Sequence, residues 1–305
     1  MPELPEVETI KRQLADKVIG LTIKNVLVKN ANSFKGDQSR LQGLIVQGVS
    51  RRAKMIVIEL YCSSKARTNK VNSSQPINSL ASNNNLYLLI HLKMTGQLIY
   101  ADKNGQFGGG HPIPPFGTQV PNKFTHIIFD FDDGSHLYFN DVRKFGWIKL
   151  MNDTELKNEF EKLGPEPLGN DFTLGLFKNN LLKHKNKPIK VVLMDPSVVA
   201  GIGNIYAVEA CFDAKIEPDR KVSSLSDLDF ENLFNSIKKI LPLAIKYQGV
   251  SADNYVTLEG KMGDYYKKLW VYDREGENCP NQCGGEIIKT KLGGRGTYWC
   301  PACQK

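Results

Sequence analysis

The 305-residue chain is long enough for about two domains at roughly 100–200 residues each, and its 41% hydrophobic and 24% charged content is that of a globular protein with a real core. A formal charge of +8 and a pI near 9.0 favour a polyanionic partner, because Lys and Arg displace the counterions condensed on nucleic-acid phosphates. No apolar run approaches the ~20 residues that cross a bilayer, and no basic-then-apolar start marks a secretory signal, so the sequence predicts a cytoplasmic protein.

The chain opens with MPELPEVETIKRQLADKVIG. Val7, Ile10, Leu14 and Val18 recur at helical spacing, Gly20 closes the stretch, and Pro5 suits a first helical turn, where its missing N–H costs nothing. Loss of Met1, favoured by a small second residue, would leave Pro2 with a secondary amine. An α-amino group titrates near 7.7–8.0, and the positive end of a helix dipole lowers it further. Such an amine attacks aldehyde-like carbon to form an iminium. Glu3 lies beside it to move protons, and Glu6 follows three residues on. Taken alone, the same residues also read simply as a helix start.

Alternating segments follow: TIKNVLVK, LIVQGVSRRAKMIVIELY, NLYLLIHLKMTGQLIYA, FTHIIFDFDDGSHLYFN and GWIKLM. With DDGS as a turn signal, they predict an antiparallel β-sandwich or flattened barrel over residues 1–150. Residues 63–85, rich in Ser and Asn, read as a flexible hairpin extension, and the Gly/Pro-rich residues 102–122 as a long loop. From residue 151 the pattern turns helical, through TELKNEFEKLG, TLGLFKNNLLKHK, VSADN and SDLDFENLFNSIKKILPLAIKYQG. In the last, Leu233, Ile237, Ile240, Leu241 and Ile245 form a core-facing stripe, Ser226 with Asp229 reads as a capping box, and Pro242 as a kink. GIGNIYAVEACF reads as a turn and helix with Asn204 as N-cap; exposed N–H groups at that helix start would also suit phosphate. The fold class is α+β, with units over 1–150, 151–276 and 277–305.

Four of the six cysteines, Cys279, Cys283, Cys300 and Cys303, sit in the last 27 residues with spacing C-x3-C-x16-C-x2-C. Two such knuckles give a closed tetrahedral zinc site, which is structural because it has no open position. Between them, Gly293, Gly294 and Gly296 mark a hairpin tip that carries Arg295, placed to enter a groove or touch phosphate. Cys62 and Cys211 stand in apolar segments and read as buried thiols.

MPELPEVET, RRAK before a strand, HLKMTG, DVRKFG, LGPEPL, GIGNIYAVEA and a terminal four-cysteine ribbon occur in one order. Together they resemble the formamidopyrimidine-DNA glycosylase family over nearly the whole chain. MPEL is similar to this branch rather than to the endonuclease VIII branch, which favours oxidised pyrimidines and more often begins MPEG.

The resemblance implies an N-terminal helix with a β-sandwich, a helix–two-turn–helix region and a zinc ribbon. It implies a bifunctional glycosylase and abasic-site lyase that removes 8-oxoguanine and formamidopyrimidines from duplex DNA. The enzyme would act as a nucleoid-associated monomer, with one structural zinc and no redox or organic cofactor. Pro2 would be the nucleophile, Glu3 the proton donor, Glu6 its support and Lys54 a contact to phosphate and lesion. Met94, Arg143 and Phe145 would fill the gap left by the extruded base. His91, Lys190, Asn204 and Arg295 would be further phosphate or lesion contacts. The chain departs from the family at its C-x3-C knuckle, at Lys144, at QGVSADNYVTLEGKMGDYY and at the 63–85 insertion.

Overall fold

In the computed structural model, residues 1–62, 85–111, 115, 118–250, 257 and 262–305 are described. Helix α1 (Leu4–Val18) precedes β1 (Ile23–Val28), β2 (Phe34–Lys35), β3 (Leu44–Arg52), β4 (Met55–Cys62), β5 (Leu86–His91), β6 (Gly96–Asp102), β7 (Gly105–Gly110), β8 (Thr125–Phe131), β9 (His136–Asp141) and β10 (Trp147–Asn152). They form two five-stranded sheets, ordered β1-β8-β9-β6-β7 and β2-β10-β5-β4-β3.

Three expectations need correction, the first being Cys62, which is exposed at the end of β4 rather than a buried thiol. The 102–122 stretch is not all loop, because Gly105–Gly110 pairs along β6 as β7, and a Cβ at Gly110 would stand against the Gly96 carbonyl. The sandwich is not wholly antiparallel either, since the short β2 runs parallel to β10. The 63–85 extension lies outside the described residues except Asn85. Its flanks meet, because β4 and β5 pair with Leu60 opposite Leu86.

The apolar stripe of α1 explains its place. Val7, Ile10, Leu14 and Val18 are buried against Ile56, Ile58, Leu88, Phe129 and Phe139 of the sandwich. Leu4, one turn earlier, belongs to the other core, with Phe172, Tyr206 and Leu233. One helix therefore begins in one core and ends in the next.

Helix α2 (Asp153–Phe160) packs Leu156 and Phe160 on the sandwich beside Met55, Val57 and Leu89, and the second core is built by α3 (Leu174–Leu182), α4 (Ile189–Leu193), α5 (Asn204–Asp213) and α6 (Asp227–Lys246). Ser226 and Asp229 form the expected capping box of α6. The helix passes through Pro242, whose missing N–H leaves the carbonyl of Lys238 without its helical donor. The expected VSADN helix lies, beyond Val250, outside the described residues.

The C-terminal hairpin pairs β11 (Ile288–Leu292) with β12 (Arg295–Trp299). Gly293 and Gly294 have φ of 58° and 75°, as a two-residue turn with right-handed strand twist requires. Buried Glu209 of α5 anchors the segment leading to this hairpin, accepting the N–H groups of Trp270, Val271 and Tyr272 at 2.8–2.9 Å. Among the described residues no helix is long and apolar enough to cross a membrane.

Candidate active site and nucleic-acid interface

A cavity of about 870 Å³ opens where the start of α1, the β3–β4 turn, the β5–β6 connection, the start of α5 and the tip of the C-terminal hairpin converge. Pro2, Glu3, Glu6, Lys54, His91, Met94, Asn204 and Arg295 all line it, so side chains spread over nearly 300 residues of sequence meet here.

The glutamates are fixed by backbone. Glu3 is the N-cap of α1 and forms a capping box with Glu6, whose Oε2 accepts the Glu3 N–H at 2.8 Å. The Glu3 carboxylate reaches across to α5 and accepts the N–H groups of Gly203 at 2.7 Å and Ile205 at 3.0 Å. These are the orphan donors of a helix start, where negative charge is favoured. Gly203 is thus the N-cap of α5 and Asn204 its first residue, which corrects the expected Asn204 cap. A carboxylate from α1 does the capping, so the Asn204 side chain is free to donate to the Gly296 carbonyl at 3.0 Å, tying α5 to the hairpin.

The glycines of GIGN have separate reasons. A Cβ on Gly203 would stand 2.2 Å from Glu3 Cδ, and one on Gly201, at φ 88°, would meet the Leu4 side chain.

Glu6 lies fully buried. Its Oε1 accepts the Tyr206 hydroxyl at 2.6 Å and the Val250 N–H at 2.9 Å. Burial raises its pKa first and the neighbouring Glu3 charge adds to this, while the three hydrogen bonds pull the other way. The same burial, with Glu6 beside it, pushes the Tyr206 phenol well above its ordinary value. The sequence shows Tyr206 only as one apolar position of GIGNIYAVEA and gives no sign of this role.

Three basic groups in the cavity are held toward neutrality. The α-amino group of Met1 is lowered chiefly by burial, opposed by Glu3 and Glu6 and assisted by Lys54 and Arg295. Lys54 is also lowered, again by burial first. His91 falls to about 3 through burial and the charges of Lys93, Lys54 and Lys149. Its Nδ1 accepts the Lys93 N–H at 3.0 Å, so the neutral ring carries its proton on Nε2. Lys190 stands apart. It is fully buried on α4, with no hydrogen-bond partner for Nζ among the described residues, and burial lowers it to about 8.

Beside the cavity the β5–β6 and β9–β10 connections project Met94, Arg143 and Phe145, with Met94 37% and Phe145 54% exposed. The Arg143 guanidinium lies over the Phe145 ring, 4.8 Å from its centroid. Both connections hang on buried Asp141, the first residue of the DVRKFG motif, to which the sequence assigns no role. One carboxylate oxygen accepts the Thr95 hydroxyl and the Arg143 N–H, and the other the Gly146 N–H at 2.6 Å.

The four cysteine sulfurs lie within 4.8 Å of one another, with Cys279–Cys303 at 3.7 Å and Cys283–Cys300 at 3.5 Å. Zinc–sulfur bonds of about 2.3 Å in a tetrahedron put sulfurs ~3.8 Å apart, so the donor set fits one structural zinc.

Residues 1–148 match the model of the formamidopyrimidine-DNA glycosylase N-terminal domain, 163–255 that of its H2TH domain, and 276–305 that of the zinc finger found in FPG and IleRS. The formamidopyrimidine-DNA glycosylase of Heliobacterium modesticaldum is 39% identical over 312 residues, and that of Listeria innocua 37% over 313, each alignment covering all of both chains. Among solved structures, a Lactococcus lactis Fpg mutant bound to Fapy-dG containing DNA shares 33% identity at a TM-score of 0.81. MutM bound to DNA containing carbocyclic 8-oxo-G shares 33% at 0.80. Both alignments cover the full length of each chain. With matches along its whole length and a cavity assembled from all three matched regions, the chain belongs to the formamidopyrimidine-DNA glycosylase family.

Proposed function

We propose that this protein is a base-excision enzyme that removes oxidised purines, 8-oxoguanine and formamidopyrimidines, from duplex DNA and then cleaves the strand at the resulting site. The observation that carries the reading is the convergence of the chain's amino end, Glu3, Glu6 and Lys54 in one cavity lined on its rim by Met94 and Arg295. Relatives of similar length and fold bind lesion-containing DNA.

After removal of Met1, the Pro2 nitrogen attacks C1′ of the extruded nucleotide. The glycosidic bond breaks and its electron pair leaves with the base. The attacking nitrogen gives up its proton to Glu3, which delivers it to O4′ as the C1′–O4′ bond breaks; the freed nitrogen lone pair forms the C1′ iminium, and the departing base takes a proton from water. Burial lowers the pKa of the Met1 α-amino group at this end of the cavity, and the Pro2 amine left by its removal would share those surroundings. The iminium acidifies C2′; loss of that proton expels the 3′ phosphate, and a further elimination expels the 5′ phosphate. Glu6 supports Glu3 through the capping box. Lys54, His91, Asn204 and Arg295 face phosphate or lesion from the cavity wall, whereas Lys190, fully buried on α4, is not among its lining residues and is not one of these contacts. Met94, Arg143 and Phe145 occupy the vacated space in the stack, with Arg143 donating to the orphaned base. The four cysteines would hold a zinc that braces the hairpin carrying Arg295, and four thiolate ligands leave that ion no open position for a reacting group.

Borohydride trapping on a duplex with 8-oxoguanine opposite cytosine tests this. A covalent complex on the lesion duplex, absent from undamaged DNA and absent in Pro2→Gly, is expected. No adduct from folded, zinc-loaded protein lacking Met1 overturns the proline mechanism.

A further inference from the structure

Lys54 enters the cavity from a two-residue turn, Ala53–Lys54, closed by the pair Arg52 and Met55. Ala53 has φ 55°, a left-handed conformation that a residue with a Cβ rarely adopts. A turn of this kind holds only where its surroundings impose it.

Here they do. The Ala53 N–H donates to Oε1 of Glu166, and the Ala53 carbonyl accepts from Arg51 Nη1 at 2.8 Å. The same Glu166 oxygen accepts from Arg52 Nη1 at 3.0 Å, and Glu166 Oε2 lies 2.8 Å from Arg51 Nη2. Arg51 continues to Glu8 of α1 at 2.9 Å, and Arg52 Nη2 donates to the Gly164 carbonyl at 2.7 Å. Glu166 stands between Pro165 and Pro167, whose rings restrict the backbone beneath it. Both polar groups of Ala53 are therefore fixed by this ion-pair network, one end of which comes from the far side of the domain boundary.

We propose that Glu166 is a positioning residue for Lys54: its carboxylate imposes the left-handed Ala53 turn that aims the lysine into the cavity. The inference rests on the reading of Lys54 as a site residue. An ion pair that only joined two domains would satisfy Arg51 and Arg52 and would have no need of the Ala53 N–H. Glu166 does not line the cavity, so its effect passes through the turn.

The test is single-turnover excision of 8-oxoguanine opposite cytosine, with thermal unfolding alongside, for E166A, E166Q, R52A, K54A, A53G and the double variant E166A/A53G. E166A should excise at least tenfold more slowly. Glycine adopts φ 55° without a Cβ penalty, so E166A/A53G should recover threefold or more over E166A without recovering its melting temperature. E166Q keeps an acceptor for the Ala53 N–H while losing both ion pairs. It should melt lower yet excise within threefold of wild type, as should R52A, and it serves where E166A does not fold. Wild-type excision by E166A, or no recovery in the double variant, overturns the positioning role. Full activity in K54A overturns instead the reading of Lys54 on which the inference stands, so the two failures are distinct.

Discussion

Glu3 accepts the N–H of Gly203 at 2.7 Å across 200 positions of sequence, and no side chain heavier than hydrogen fits at position 203 without displacing that carboxylate. The G203A variant should therefore misplace Glu3 while leaving its chemistry intact. A displacement of about 1 Å at a reacting group costs on the order of 10²-fold. Excision of 8-oxoguanine should fall by at least that factor, measured under single turnover. Wild-type rates in G203A would show that Glu3 tolerates relocation.

Tyr206 and Glu6 make a second pair. Glu6 has a raised pKa in the folded protein, so its contribution to stability is present below the unfolded value of 4.5 and is lost as pH rises through the folded value. The Tyr206 hydroxyl offsets part of that loss by donating to the carboxylate. Y206F removes the donor and should destabilise by about 1–3 kcal/mol where Glu6 is ionised. Denaturant unfolding at pH 5 and pH 8 checks it, with the larger deficit expected at pH 8.

His91 supplies the complementary sign. Its pKa falls from 6.5 to about 3 on folding, so the unfolded chain binds more protons between those values and stability rises with pH across that window. H91Q should flatten that part of the pH–stability curve. In wild-type protein the His91 ring resonances should not titrate above pH 5 by NMR.

Asp141 organises both connections that carry Met94, Arg143 and Phe145. D141N keeps acceptor capacity on one oxygen only, so one of the Thr95, Arg143 and Gly146 donors should lose its partner. Excision of a paired lesion, which needs the stack opened, should fall about tenfold or more, within the range of a misplaced positioning element. Cleavage at a preformed abasic site, where no base needs extruding, should fall less. Equal losses on both substrates would assign Asp141 to folding alone.

Arg295 sits at the hairpin tip, and the hairpin is held by the cysteine cluster and by Asn204 donating to Gly296. R295A should weaken lesion-duplex binding and reduce the salt-dependence slope by about 1. Zinc removal by a chelator should produce at least the same loss, restored by adding zinc back. Fluorescence anisotropy across a salt series measures both.

The cysteines, the amino-terminal glutamates and the strand pattern are legible in the sequence because each is local: ligand spacing, residue order and period-two alternation survive in one dimension. The residues that stay hidden are those whose meaning depends on a distant partner. Tyr206 looks like one more apolar helix position until α1 lays Glu6 beside it. Asp141 looks like a strand end until two connections converge on it. Asn204 has the right chemistry for a cap, yet Glu3 arrives from α1 to take the role. The Gly105–Gly110 strand reads as loop because its glycines carry no alternation, and pairing with β6 overrides propensity there.

The meeting of β4 and β5 across Leu60 and Leu86 has a consequence for how this gene can vary. The two strands are bonded neighbours, so the chain between Cys62 and Asn85 begins and ends at the same place whatever its length. The entropy of closing such a connection grows only logarithmically, by about 0.6 kcal/mol per doubling. Material can accumulate or vanish there without shifting the turn that bears Lys54 or the strand that ends in His91. A reporter spliced in between Cys62 and Asn85 should leave the cavity as it is.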